Sequence, residues 1–184
     1  MPAFRRSRAF TLIEVTVVVA LVGILAVLAS LAYRRWIRSS YLGEAHGMLA
    51  NIRTAEEAFK AENTGYLKVS SQLTTLYPAT MPQGNTVTAW GGPGDNPALW
   101  AALNVNPNAP VRFGYAVIAD NDGTVALPTT VKNNGVAIDL AAMKGLPWFV
   151  ATAVCDIDND STTPSTTLFA VSGTNTLFVN NEGN

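Results

Sequence analysis

Residues 15–33, VTVVVALVGILAVLASLAY, contain no ionisable group except the terminal tyrosine. At the rise of an α-helix they make about 28 Å, close to the hydrocarbon thickness of a bilayer, so the run is long enough to span one. Arg5, Arg6 and Arg8 precede it and Arg34, Arg35 and Arg38 follow, so the basic flanks do not by themselves fix its orientation. If the first residues stay cytoplasmic, the rest of the chain lies outside. A removable secretory signal is the competing reading, with "LASLA" at 28–32 as its cleavage site and a mature chain starting at Tyr33. Glu14, at the head of the run, argues for a retained helix. An ionised carboxylate in hydrocarbon costs at least a few kcal/mol and needs a partner, and a discarded signal gains nothing from one. Arg8 is six residues back and Thr11 is the only polar neighbour at helical spacing, so the partner is expected from another molecule.

A short basic leader, the small residue Ala9, then "FTLIEV" and an apolar helix resemble the N-terminus of type IV pilins and of the related secretion pseudopilins. The resemblance implies that a prepilin peptidase in the membrane cuts between Ala9 and Phe10 and methylates the new amine of Phe10. It also implies that Glu14 meets the Phe10 amine of an adjacent subunit, so that the acid sets register during assembly. A buried charge pair is a poor source of net stability but penalises every register that leaves it unpaired. Ala9 stands where the family usually has glycine, and Leu31 lies in the "VLASLAY" stretch where many pilins carry a proline. The missing proline shifts the reading toward a minor pilin or a pseudopilin.

Helical periodicity continues past the apolar run. Leu42, Ala45, Met48, Leu49, Ile52, Ala55 and Phe59 recur at amphipathic spacing, with Glu44, Arg53, Glu56, Glu57 and Lys60 assigned to the opposite face. One helix is therefore expected from Phe10 to about Asn63, with Gly65 as its left-handed cap. "TAEEAFKAENTGYL" resembles the helix end of many pilins of Gram-negative bacteria. Gly43 and Gly47 each weaken a helix interior by up to ~1 kcal/mol relative to Ala, which calls for a close neighbour, either the chain's own sheet or another subunit's helix.

Residues 68–110, rich in Pro, Gly, Asn and Thr, read as a long surface connection with one short helix at "PALWAALN". Trp90 and Trp100 in it are either binding aromatics or anchors to the core, and anchors are the commoner case. Strands are expected at 111–119, 147–155, 166–173 and 176–181, the last two as a hairpin around Gly173. The fold class is α+β, a long N-terminal helix packed on an antiparallel sheet of about four strands. The expected organisation is a cleaved leader at 1–9, a membrane and filament-core helix at 10–33, its amphipathic continuation at 34–63, and a globular head at 64–184 with the connection at 68–110 and the sheet within 111–181.

Chemistry-bearing residues are sparse. "CDIDND" sets Asp156, Asp158 and Asp160 in alternation, the spacing that opens a calcium loop, so calcium is the one cofactor to consider. The sixth place is Ser161 rather than Gly and the twelfth is Thr167 rather than Glu, which leaves a solvated acidic turn as the alternative. "ADNDG" at 119–123 reads as a turn. The single histidine, His46, and the single cysteine, Cys155, specify neither a catalytic pair nor a zinc site, so no enzyme activity is expected. Without its three leader arginines the chain has nine bases against 13 acids, a poor footprint for direct nucleic-acid binding.

The sequence thus points to a structural subunit of a type IV pilus-like filament. Its expected partners are other pilin subunits, the prepilin peptidase, the inner-membrane assembly platform and the inner membrane itself. Its expected course runs from inner-membrane precursor to extracellular or periplasmic filament. A type II secretion pseudopilin is the alternative within the class, and a membrane-anchored binding domain that never polymerises is the alternative outside it.

Overall fold

Helix α1 (Leu12–Asn63) is followed in the chain by α2 (Pro97–Ala102), β1 (Gly114–Asp120), β2 (Lys132–Asn133), β3 (Val136–Ala137), a 3-10 turn (Ala141–Met143), β4 (Trp148–Cys155), β5 (Thr166–Val171) and β6 (Leu177–Asn180). The structure, a computed structural model, describes residues 10–78, 86–92, 96–157 and 165–181, without the side chains of 34, 35 and 38. A long N-terminal helix and a four-stranded antiparallel sheet make the chain α+β. Two compact units divide it, Met1–Ile37 and Arg38–Asn184.

In the first unit the helix stretch Leu12–Tyr33 is long and apolar enough to cross a membrane, and none of it is buried by the rest of the chain. Its two mid-helix hydroxyls satisfy themselves locally. Thr16 Oγ1 donates to the carbonyl of Ile13 at 3.0 Å and Ser30 Oγ to that of Val27 at 2.8 Å. Neither needs water, which suits a helix meant for an apolar surrounding.

In the second unit the sheet order is β1-β4-β5-β6, every pair antiparallel. Leu42, Ala45, Met48, Leu49 and Ile52 of α1 are buried against Tyr115, Val117 and Ala119 of β1 and Phe149, Ala151, Ala153 and Cys155 of β4. The expected stripe is correct up to Ile52 and then drifts. Ala55 and Phe59 are only half-buried on its flank, while Glu56, expected on the polar face, is fully buried. The spacing 42, 45, 49, 52, 56 alternates threes and fours, and that alternation keeps residue 56 facing inward.

Residues 121–147, between β1 and β4, cross the outer face of the sheet. Val131 and Leu140 from this excursion join Ile118, Trp148, Val150, Phe169 and Val171 in a second apolar cluster. The sheet is therefore covered on both faces, and all seven residues of β1 are buried. The excursion carries a two-stranded ribbon, β2 with β3, that the sequence reading omitted. Asn134 and Gly135 between its strands have φ of 48° and 82°, the left-handed pair that an Asn-Gly hairpin turn requires.

Both sheet edges are occupied. Along β1, Tyr77 and Tyr115 exchange backbone hydrogen bonds of 2.8 and 2.7 Å, and the Ser70 N–H donates to the Val117 carbonyl at 2.7 Å. Along β6, the Asn134 N–H donates to the Val179 carbonyl at 2.8 Å, and the Val179 N–H to Asn133 Oδ1 at 3.3 Å. Edge-to-edge strand addition is thereby blocked.

The connection at 68–110 is less of a surface feature than its composition suggested. Val69, Leu76, Tyr77, Trp100, Leu103 and Val105 are buried, because short apolar anchors between the Pro and Gly turns cover the sheet edge. The short helix expected at "PALWAALN" is α2, with Pro97 at its start. The strands expected at 111–119, 147–155, 166–173 and 176–181 are β1, β4, β5 and β6 with trimmed ends. Val111 forms an isolated bridge with Thr88 rather than belonging to β1.

Candidate functional site

Thr11 is the residue before the first turn of α1, and Glu14 is its third helical residue. The Thr11 backbone N–H donates to Glu14 Oε2 at 2.8 Å, and the Thr11 hydroxyl donates to the same oxygen at 2.7 Å. In return the Glu14 N–H donates to Thr11 Oγ1 at 3.3 Å. This is a capping box, in which residues at the N-cap and three places on satisfy each other's open backbone donors. It gives the polar neighbour expected at helical spacing, Thr11, a definite role and leaves the expectation of a charged partner from another molecule as it stood. Thr11 is not a counter-ion, so among the described residues the carboxylate has hydrogen bonds but no balancing charge. The signal was legible as "TLIE" before an apolar run, and the reading stopped at the absence of a base.

Phe10 is 85% exposed, immediately ahead of the box. Ala9, the other expected processing residue, lies outside the described residues, as do Asp158 and Asp160. Asp156, the remaining member of the acidic stretch, is buried just past β4. Among the described residues no three His, Cys, Asp or Glu side chains gather in a way that could hold a metal.

The residues a catalytic reading would require are otherwise engaged. His46 Nδ1 donates to the Leu42 carbonyl at 2.7 Å, one turn back on α1. Burial, reinforced by Asp156 and Glu44, pushes the Cys155 thiol up to about 12, which keeps it protonated and a weak nucleophile. The tryptophans are anchors. Trp100 is fully buried, and Trp90, half-buried, meets it edge-on at 5.3 Å and Tyr77 at 4.8 Å between ring centroids.

Two glycine expectations resolve in opposite ways. A Cβ at Gly43 or Gly47 would meet nothing within 4 Å, so the chain's own sheet does not require these residues. At Gly65 a Cβ would lie 2.7 Å from Asn121 Cγ, while the left-handed residue that ends α1 is Thr64, with φ 67°. Gly65 is thus needed for close approach and not, as expected, for the cap. Asn121 uses that approach to pair with the Tyr66 backbone, accepting from its N–H at 2.8 Å and donating to its carbonyl at 2.9 Å.

The sequence matches the family model of the prokaryotic N-terminal methylation motif over residues 4–30. Among curated proteins and among solved structures, none matches the chain. The motif covers the basic stretch, the capping box with Glu14 and most of the exposed apolar helix, and together with that helix it supports a type IV pilin-like prepilin.

Proposed function

We propose that the protein is a structural subunit, of the minor class, in a type IV pilus-like filament. Residues 1–9 are the leader removed by prepilin peptidase, Phe10 becomes the methylated N-terminus, and residues 10–33 anchor the precursor in the inner membrane before they enter the filament core. Residues 34–63 continue the helix, and 64–184 form the head. The observation that carries this reading is the methylation motif running directly into an apolar helix that the chain leaves uncovered.

In this reading Glu14 has two successive partners. In the membrane-held subunit, the Thr11 amide and hydroxyl solvate its carboxylate and supply what water would supply elsewhere. On assembly the amine of Phe10 from an adjacent subunit adds the missing charge. A neighbour in any other register offers no cation, and the cost of an unbalanced carboxylate in an apolar surrounding selects the right one. The covered sheet edges support the same division of labour, since they remove strand addition as a route between heads. No step in this mechanism is catalytic.

Intact mass spectrometry of the protein extracted from membranes tests the reading. The expected mature chain begins at N-methylated Phe10 and lacks residues 1–9. A chain that keeps Met1, or one that begins at Tyr33, overturns it. In the producing cell, loss of surface filaments on deletion supports a pilus subunit, whereas loss of protein secretion with filaments intact reassigns the chain to the pseudopilins.

A further inference from the structure

Glu56 is a carboxylic acid at a core position. Its side chain has no solvent exposure, Oε2 accepts the Leu67 N–H at 2.9 Å, and Oε1 is buried with no hydrogen-bond partner among the described residues. That bond joins α1 to the backbone of the segment that leaves it. After Thr64 the chain turns back, the Tyr66 backbone is paired to Asn121, and the Tyr66 hydroxyl donates to Glu57 Oε1 at 2.9 Å while accepting from Lys60 Nζ at 3.1 Å. A carboxylate with one satisfied oxygen cannot be held there cheaply, whereas a neutral carboxyl can.

We propose that Glu56 is a proton-operated latch: the closed head holds it as the neutral acid, and residues 66–67 come away from α1 more readily once that proton can be lost. Among the described residues no cation is hydrogen-bonded or ion-paired to Glu56, although Arg53 Nε, three residues back on α1, is also buried without a hydrogen-bond partner. On α1, the neighbouring Glu57 is a like charge, Arg53 is directed to the carbonyls of Asn175 and Thr176, and Lys60 is held over the Tyr66 ring and on its hydroxyl. In the returning segment, Tyr66 faces Glu57, its hydroxyl is pushed up by burial and stays protonated, and Lys68 is exposed. At the end of β1, Asp120 accepts from Thr124 Oγ1 at 3.4 Å. The facing sheet residues Val117, Ala119, Phe149 and Ala151 are apolar.

Burial, opposed by the Leu67 N–H and reinforced by Glu57, raises the Glu56 carboxyl from 4.5 to about 8, so the cost of burying the charge outweighs the stronger hydrogen bond an ionised Glu56 would accept. The closed form therefore binds one more proton than the open form between those values, and closure weakens as pH rises through that window. Below it the latch is tightest. Within it the opening constant rises about tenfold per pH unit, and above it the change levels off.

The test is amide hydrogen exchange of residues 66–67 in the full chain in detergent micelles from pH 5 to pH 9, corrected for the intrinsic exchange rate. The expected wild-type result is an opening constant that climbs about tenfold per unit to near pH 8 and then flattens, with Glu56→Gln independent of pH. A flat wild-type profile, or a Glu56→Gln profile that climbs like the wild type, overturns the proposal. Should Glu56→Gln fail to fold, carbon-13 NMR titration of the wild-type Glu56 carboxyl decides. A midpoint near 8 that falls in Glu57→Gln supports the latch, and a midpoint near 4.5 overturns it.

Discussion

The stretches 12–33 and 42–56 belong to the same helix, yet they stand in opposite relations to the chain around them. In the first, every large apolar side chain from Val15 to Tyr33 is more than half exposed. In the second, Leu42, Leu49 and Ile52 are at most 5% exposed and are covered by the sheet of the same chain. Secondary structure is identical and completion is not. The head together with the helix stretch it covers is the compact unit Arg38–Asn184, and it carries its own core, a second cluster on the outer face and two covered sheet edges. The N-terminal stretch satisfies its backbone and its hydroxyls but not its apolar surface, so lipid or other subunits must cover it. A molecule built this way separates folding from assembly, and substitutions should separate them as well.

The largest effects belong to a reciprocal pair. Glu14→Ala is expected to leave thermal unfolding of the head unchanged and to abolish incorporation into filaments, measured as sheared pilus fraction against membrane pool. Leu49→Ala, in a fully buried site, is expected to cost the head about 2–5 kcal/mol, while Leu21→Ala leaves head unfolding where it was. A fall in head stability in Glu14→Ala, or normal filaments from it, would break the comparison.

How far the sequence exposed this division depended on whether one residue or many carried the signal. The apolar run, the four strands and the stripe to Ile52 are periodic features, and each survives an error at any one position. Glu56 is a single polar residue in an apolar stripe, and residue type alone put it on the wrong face. Thr11 was visible beside Glu14 at helical spacing, but the box they form was not read, because a search for a balancing charge does not ask what a hydroxyl and its own amide can donate. The ribbon of β2 and β3 carried its Asn-Gly turn in plain view, but strands of two residues have no alternation to detect. In 68–110 the Pro and Gly content was read as exposure, whereas the buried tyrosine and tryptophan there decide where the segment lies.

A substitution of intermediate effect sharpens the picture of the helix end. At Gly65 a methyl group would enter the Asn121 amide at 2.7 to 2.9 Å, so Gly65→Ala must displace a side chain already paired with the Tyr66 backbone. The expected cost is about 1–3 kcal/mol, read from the denaturant midpoint of the head. A neutral result would mean that Asn121 moves aside freely and that Gly65 has no packing reason.

The smallest expected effect has the opposite sign. Gly43 and Gly47 are exposed, in regular helix, with open space where a methyl would go. Alanine at either site should therefore stabilise the isolated head by about 0.4–1 kcal/mol, through the backbone entropy of the unfolded chain and the better helix propensity of alanine. Thermal unfolding of the single and double variants measures the gain. Because the sheet of the same chain does not require these glycines, a double variant with a more stable head that still fails to enter filaments would place the close neighbour on another subunit. A double variant that assembles normally would show that the helix carries two glycines with no packing role in either setting.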